Sequence, residues 1–198
     1  MARVTSDPGD GDFLQGLRAG DEACFIRLYR RHQGAVYRFA LHMTGNPGSA
    51  EDITQEVFMT LIRDPRRYDP SRGSLRSFLF GISRNCVLRL LEHERTPLLS
   101  TDEKAFEDGT PAEALDLTGE LERNDTIERV RRAVLTLPAG YREVVALCDL
   151  NEMSYEEAAE VLKCAVGTVR SRLHRARTLL AGKLRALMKV DARPAEER

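Results

Sequence analysis

The chain has 198 residues, of which 42% are apolar, and its net charge is −1. Domains usually contain about 50 to 200 residues, so this length allows one moderate core or two small ones. The sequence has no run of about 18 apolar residues and no apolar stretch near its N-terminus. We therefore expect a soluble, cytoplasmic protein without membrane insertion.

Residues 1–96 show the apolar periodicity of helices. A first helix is predicted over residues 21–43, with Asp21 as its cap. Ser49 and Asp52 resemble a capping box that opens the next helix, and a loop rich in Arg, Asp, Pro and Gly follows it. The last helix of this block is predicted over residues 75–95.

Residues 97–125 carry nine acidic and two basic residues and show little periodicity, which favours an extended linker. Further helices are predicted over residues 126–137, 139–148, 154–162 and 168–188. The sequence thus predicts an all-α protein with two small helical domains, 1–96 and 126–198, joined by a flexible acidic linker over 97–125. We expect the domains to fold separately, because each has its own apolar stripes.

The second domain is predicted to be a four-helix domain with a helix-turn-helix over residues 154–177. Ser154 and Glu157 form a capping box for its short helix. Residues 163–189 carry eight basic residues and no acidic one, which is typical of a surface that faces phosphate groups. A solvated amphipathic helix is the plainer alternative, but the capped helix, the turn and the basic run together favour DNA binding. The candidate contacts are Thr168, Arg170, Ser171, Arg172, His174, Arg175 and Arg177.

Patterns that would indicate an enzyme or a metal protein are missing from the sequence. The cysteines and histidines lack ligand spacing, and there is no glycine-rich phosphate loop and no nucleophile with its base. We therefore predict no catalytic residue, no metal or other cofactor and no small-molecule substrate.

Several stretches resemble the extracytoplasmic-function (ECF) sigma factors of bacterial RNA polymerase, over about residues 13–188. The segment VGTVRSRLHRAR, residues 166–177, is the most specific, and LP at 137–138, YREVV at 141–145 and SYEEAA at 154–159 accompany it. These stretches are similar to the family's fourth region. The resemblance implies that the helix over residues 168–188 reads the minus-thirty-five promoter element.

The first block resembles the family's second region. AEDITQEVF, residues 50–58, is similar to the segment that docks on the polymerase clamp, and its candidate residues are Asp52, Gln55, Glu56 and Phe58. Residues 68–85 resemble the element that reads the minus-ten sequence and opens the strands. Its candidates are Tyr68, Asp69, Arg72, Ser74, Arg76, Ser77, Arg84 and Asn85. Family members commonly carry Trp where this chain has Phe78, which we expect to be a core residue.

The resemblance implies a non-enzymatic sigma factor that directs promoter-specific transcription initiation. Its implied partners are core RNA polymerase, promoter DNA and an inhibitory anti-sigma factor. The linker either passes through polymerase, as the family's linker does, or is a solubilising tether. A stand-alone helix-turn-helix regulator, an all-helical adaptor and an enzyme with a helical active site are the alternatives.

Overall fold

A computed structural model describes residues 15–95 and 122–191. Every regular element in these two ranges is helical, which confirms the all-α prediction. The predicted linker lies outside the described residues up to residue 121. Its last four residues are helical, because a helix begins at Glu122 rather than near Thr126. A polar first turn has no apolar stripe, so periodicity does not detect where such a helix begins.

The first region, residues 15–95, contains three long helices. Asp21 caps the first helix by accepting hydrogen bonds from two backbone N–H groups of its first turn. A short 3-10 turn, Pro65–Arg67, lies in the loop after the second helix. The helices are α1 (Glu22–Thr44), α2 (Pro47–Arg63) and α3 (Leu75–Arg95).

The start of α2 differs from the prediction that Ser49 and Asp52 form its capping box. The helix begins at Pro47, and the side chain of Asn46 accepts a hydrogen bond from the Ser49 N–H at 3.0 Å. Proline suits the first helical position, since its missing N–H would have no partner there. Ser49 therefore donates to the cap and is not the cap itself.

The second region, residues 122–191, contains four helices. Between the second and third of them the chain continues as a π-helical segment (Val145–Asp149), which ends where the Leu150 N–H donates to the Val145 carbonyl. The predicted capping box is confirmed: Ser154 and Glu157 each accept a hydrogen bond from the other's backbone N–H. The helices are α4 (Glu122–Leu135), α5 (Ala139–Val144), α6 (Tyr155–Leu162) and α7 (Val166–Asp191).

The two regions pack against each other. α3 lies against α6, while α1 contacts α4, α5 and the π-helical segment. Buried side chains from both regions form one contiguous cluster, which includes Phe39, Leu79, Leu147 and Leu173. We expected a separate core for each region, but the structure has a shared one. The expectation failed because periodicity identifies an apolar face of a helix but not the element that packs on that face. Separate folding of the regions stays a prediction.

The C-terminal end of α1 lies at this contact. Arg142 donates a hydrogen bond of 2.7 Å to the Met43 carbonyl, one of the groups that a helix end leaves unpaired. Gly45 follows with a φ of 72°, and a Cβ atom there would lie 3.1 Å from Cδ1 of Leu135. The turn thus needs glycine both for its backbone conformation and for the close approach of α4.

Candidate nucleic-acid interface

The close crossing of α6 and α7 forms the predicted helix-turn-helix. Ala158 on α6 and Val169, Leu173 and Ala176 on α7 are each at most 1% exposed. Lys163 ends α6 in the left-handed conformation with a φ of 53°, so the chain turns into α7 within three residues. The opposite face of α7 points to solvent, as a helix that enters the major groove requires.

That opposite face of α7 is basic. Of the seven predicted DNA-contacting residues, Thr168 and Arg172 are half-buried, and the exposed ones are Arg170, Ser171, His174, Arg175 and Arg177. Two of the exposed arginines have partners within the chain. The guanidinium of Arg170 lies 5.7 Å from the ring centroid of Tyr155, and Arg177 forms an ion pair of 2.6 Å with Asp149.

Tyr68 and Asp69 shape the loop between α2 and α3. Tyr68 is 2% exposed, its hydroxyl donates to the Gly73 carbonyl at 3.1 Å, and its ring packs on Phe78 with centroids 5.4 Å apart. The Asp69 carboxylate accepts hydrogen bonds from the N–H and the hydroxyl of Ser71, which hold the pKa of Asp69 below its usual value. Tyr68 is therefore part of the loop's frame, and Asp69 remains at the surface.

The other predicted minus-ten residues divide into buried and exposed ones. Ser74 and Ser77 are buried, and the Ser74 hydroxyl accepts a hydrogen bond of 3.1 Å from the Ser77 N–H at the start of α3. Arg72 and Asn85 are exposed. The two serines thus stabilise the start of α3, while Arg72 and Asn85 are accessible to a ligand.

Two further arginines predicted to contact DNA bind the second region instead. Arg84 donates to both carboxylate oxygens of Glu143, at 2.8 and 3.4 Å, and the two side chains are 18% and 5% exposed. Arg76 donates to the Asn151 carbonyl. Burial raises the pKa of Glu143 despite the nearby Arg84 guanidinium. In this arrangement neither arginine is available to DNA.

A cavity of about 280 Å³ is lined by the loop and α3 of the first region on one side and by α6 on the other. Glu160 of α6 lines it and lies close to Gly73, where a Cβ atom would be 2.8 Å from a Glu160 carboxylate oxygen. Burial and the Glu157 charge raise the pKa of Glu160, and the nearby Ser77 side chain opposes this rise. An acid of the second region therefore faces the surface predicted to bind DNA.

The predicted polymerase-binding residues lie on α2. Asp52 and Gln55 are exposed and Glu56 is half-buried. Phe58 is 2% exposed, and its ring packs edge-on against Tyr29 with centroids 4.8 Å apart. The three polar residues can meet a partner, whereas Phe58 holds α2 on α1.

The sequence did not reveal the groups of the second region that bind the arginines, namely Glu143, Asp149 and Asn151. One signal was available. In the sequence Glu143 directly precedes four apolar residues, 144–147, which predicts that its neighbours are buried. A carboxylate in such a run needs a cationic partner, so the position indicates an ion pair without identifying the arginine.

Two family models match the chain and together cover more than half of it. The model described as Sigma-70 region 2 matches residues 28–96, and Sigma-70, region 4 matches residues 127–180. The chain belongs to the ECF sigma factors of RNA polymerase, since it also matches one of them, SigL of Mycobacterium tuberculosis, at 30% identity over 81% of this chain and 89% of SigL. This membership confirms the resemblance seen in the sequence.

Individual ECF sigma factors are similar over much of their length. SigE of Mycolicibacterium smegmatis is 34% identical over 166 residues, which are 81% of this chain and 63% of SigE. The chain thus spans less than two thirds of that relative. SigW of Bacillus subtilis is 29% identical over 185 residues, 88% of this chain and 96% of SigW.

Two solved structures, each 25% identical in sequence, share the fold. CnrH in complex with the cytosolic domain of CnrY has a TM-score of 0.66 and matches 93% of this chain and 99% of CnrH. The sigma factor RpoE from Bartonella quintana, in complex with the anti-sigma factor NepR, has a TM-score of 0.64 and matches 81% of this chain and 96% of RpoE.

This sigma factor therefore serves promoter-specific transcription initiation and is not an enzyme. A stand-alone helix-turn-helix regulator is not favoured, since the first region is itself a sigma domain. Among the described helices, none has the length and apolarity needed to cross a membrane.

Proposed function

We propose that the sigma factor uses three separate surfaces in initiation. The polar face of α2 binds core polymerase, the loop after α2 together with α3 reads the minus-ten element, and the N-terminal half of α7 reads the minus-thirty-five element. The observation that carries this assignment is the exposed basic face of α7 beside a capped α6. The activity is inferred from family membership, and the candidate contacts are chosen by the exposure of individual side chains.

On α7, Arg170 and Arg175 are the candidate base readers. Both are exposed and lie in the half of the helix that approaches base edges in a helix-turn-helix. Arginine can bind O6 and N7 of guanine with two hydrogen bonds. Arg177 is already paired with Asp149, so a role as brace or phosphate contact suits it better than base reading.

In the first region, Arg72, Asp69 and Asn85 are the accessible candidates for the minus-ten strand. Arg76 and Arg84 join them only when their contacts with the second region break. The proposed function therefore includes a parting of the two regions. Polymerase can supply it by binding the regions at separate positions, which also fixes the spacing of the two readers.

The docking of α2 on polymerase is proposed to use charge and amide groups. Asp52 and Gln55 are exposed, and Glu56 is accessible beside Arg63, from which it is 3.8 Å away. Because such a surface ion pair is weak, a basic group of a partner can readily replace Arg63 beside Glu56. The buried Phe58 keeps this face rigid by fixing α2 on the core.

We also infer an anti-sigma partner and an action in the bacterial cytoplasm. The similar structures of CnrH and RpoE are complexes, the second with an anti-sigma factor. Transcription by polymerase takes place in the cytoplasm, and a sigma factor must reach it there.

Run-off transcription on genomic fragments, with core polymerase and with or without this protein, tests the proposal. We expect promoter-specific products only when the protein is present. Asp52→Arg should weaken binding to core and reduce all products, whereas Arg170→Ala should keep core binding and lose promoter preference. No specific product, or full activity of both variants, would contradict the assigned surfaces.

A further inference from the structure

Tyr155 of α6 contacts an arginine of the proposed DNA-facing helix and lies near a second one. Arg170 and Arg177 are seven residues apart, which places them two turns apart on the same side of α7. The Arg170 guanidinium lies over the Tyr155 ring, 5.7 Å from its centroid. Arg177 lies near the Tyr155 hydroxyl, and its ion-pair partner is Asp149.

Tyr155 is held firmly enough to orient the side chains that it touches. It is the first residue of α6, directly after the capping box of Ser154 and Glu157, and its ring packs on the core. An exposed arginine on a helix surface has many rotamers and loses this freedom when it binds. A ring that favours one rotamer before DNA binds reduces the conformational entropy that the arginine loses on binding. An exposed cation–π contact favours such a rotamer about two- to fivefold.

We propose that Tyr155 is a positioning residue for minus-thirty-five recognition, orienting Arg170 toward the base edges. The proposal rests on the proposed function of α7, in which Arg170 reads a base. Arg177 is a brace between α7 and the π-helical segment through its ion pair with Asp149. The ring of Tyr155 carries the positioning role, so a variant that keeps the ring can be compared with one that lacks it.

The test measures base preference with holoenzyme, using full-length chain and core polymerase. Wild-type holoenzyme first selects minus-thirty-five duplexes from a randomised promoter library, and Arg170→Ala shows which base pair that arginine reads. Tyr155→Leu, which keeps an apolar side chain but no ring, should relax the preference at that base pair about two- to fivefold. Tyr155→Phe, which keeps the ring, should preserve it.

A purely structural role of Tyr155 gives a different result. Loss of packing would lower the urea midpoint of Tyr155→Leu and weaken all duplexes equally. That outcome, or an unchanged preference in Tyr155→Leu while Arg170→Ala has its effect, would overturn the positioning role alone. If Arg170→Ala changes no base preference, the proposed reading by α7 fails and this inference with it. Tyr155→Met is the second ring-less variant should Tyr155→Leu not fold.

Discussion

The two surfaces of this sigma factor that are proposed to face DNA differ in how much of each is accessible. On α7, Arg170 and Arg175 are exposed. On α3, Arg84 has a side chain that is only 18% exposed and is paired with Glu143 of the other region. Both surfaces have arginines in the sequence, yet Arg76 and Arg84 of α3 can meet DNA only after a rearrangement. Whether a partly buried basic residue can contact DNA therefore depends on its partners within the same chain.

This difference gives the two surfaces different requirements. In the proposed function, the face of α7 needs only a duplex with an accessible major groove. Full use of the loop and α3 needs the second region to move away, since Glu143, Asn151 and Glu160 all lie against them. Four predictions test whether the covered surface and the exposed surface differ in this way.

The largest effect is expected from breaking the ion pair between Arg84 and Glu143. Glu143→Ala leaves a largely buried guanidinium without its carboxylate, which should lower the free energy of unfolding by about 3 kcal/mol. The control is the partly exposed Glu128, which pairs with Arg131 at 2.9 Å and with Arg132 at 3.5 Å on the same helix, and Glu128→Ala should cost less than about 1 kcal/mol. Urea unfolding of the full chain measures both. Equal losses would mean that Arg84 is not held as described.

On the exposed surface, Arg170→Ala should cost about 1–3 kcal/mol of binding to the selected minus-thirty-five duplex and much less on a scrambled one. Arg84→Ala should leave the preference for that duplex unchanged, because Arg84 belongs to the other surface. Lys183→Ala should weaken both duplexes equally, with a shallower salt dependence, if it contacts phosphate. A competition assay with holoenzyme at several salt concentrations distinguishes these patterns. Loss of preference in Arg84→Ala would contradict the separation of the two readers.

Uncovering the minus-ten surface should improve its binding to DNA in the absence of polymerase. Glu143→Gln weakens the hold on Arg84 and removes a negative charge, so the free chain should bind a single-stranded minus-ten oligonucleotide about tenfold more tightly, or 1.4 kcal/mol. Fluorescence anisotropy with a labelled oligonucleotide measures this, and Glu128→Gln is the control. The same affinity in wild type and Glu143→Gln would mean that the ion pair does not restrict access.

The smallest effect is expected from a change of pH. Burial raises the pKa of Glu143 and the Arg84 charge lowers it, and the effect of burial is the larger. A raised pKa means that the folded protein keeps a proton that the unfolded chain has lost. Stability should therefore fall as pH rises from about 4.5 through the pKa of the folded state. Urea unfolding of wild type and Glu143→Gln between pH 4 and 7 isolates this contribution, which the variant should lack. A constant difference between the two proteins would rule it out.

The sequence predicted the helices, the helix-turn-helix and the family, because apolar periodicity and capping residues act locally. The Ser154 and Glu157 capping box is an example, with both partners three residues apart. The errors at Glu122 and Pro47 concern helix ends, where a polar first turn and a competing Asn cap conceal the boundary.

The contact between the regions could not be predicted in the same way. Arg84 and Glu143 are 59 residues apart, and Arg76 and Asn151 are 75 apart. Nothing in a local pattern shows which distant group a side chain will meet. For this reason five of the seven candidate residues of α7 are exposed, whereas several minus-ten candidates are buried or paired. The division into domains 1–96 and 126–198 with a linker over 97–125 likewise stays a prediction.

The π-helical segment Val145–Asp149 has a consequence for how this protein could change. Its hydrogen bonds span one residue more than those of an α-helix, and its exit supplies Asp149 to Arg177 and the Asn151 carbonyl to Arg76. A one-residue deletion in this segment can be absorbed by a change to α-helical hydrogen bonding, because four residues at the α-helical pitch complete about the same rotation as five at the wider pitch. Such a deletion would therefore leave the direction of the downstream chain nearly unchanged, whereas the same deletion in a regular α-helix would rotate that chain by about 100°.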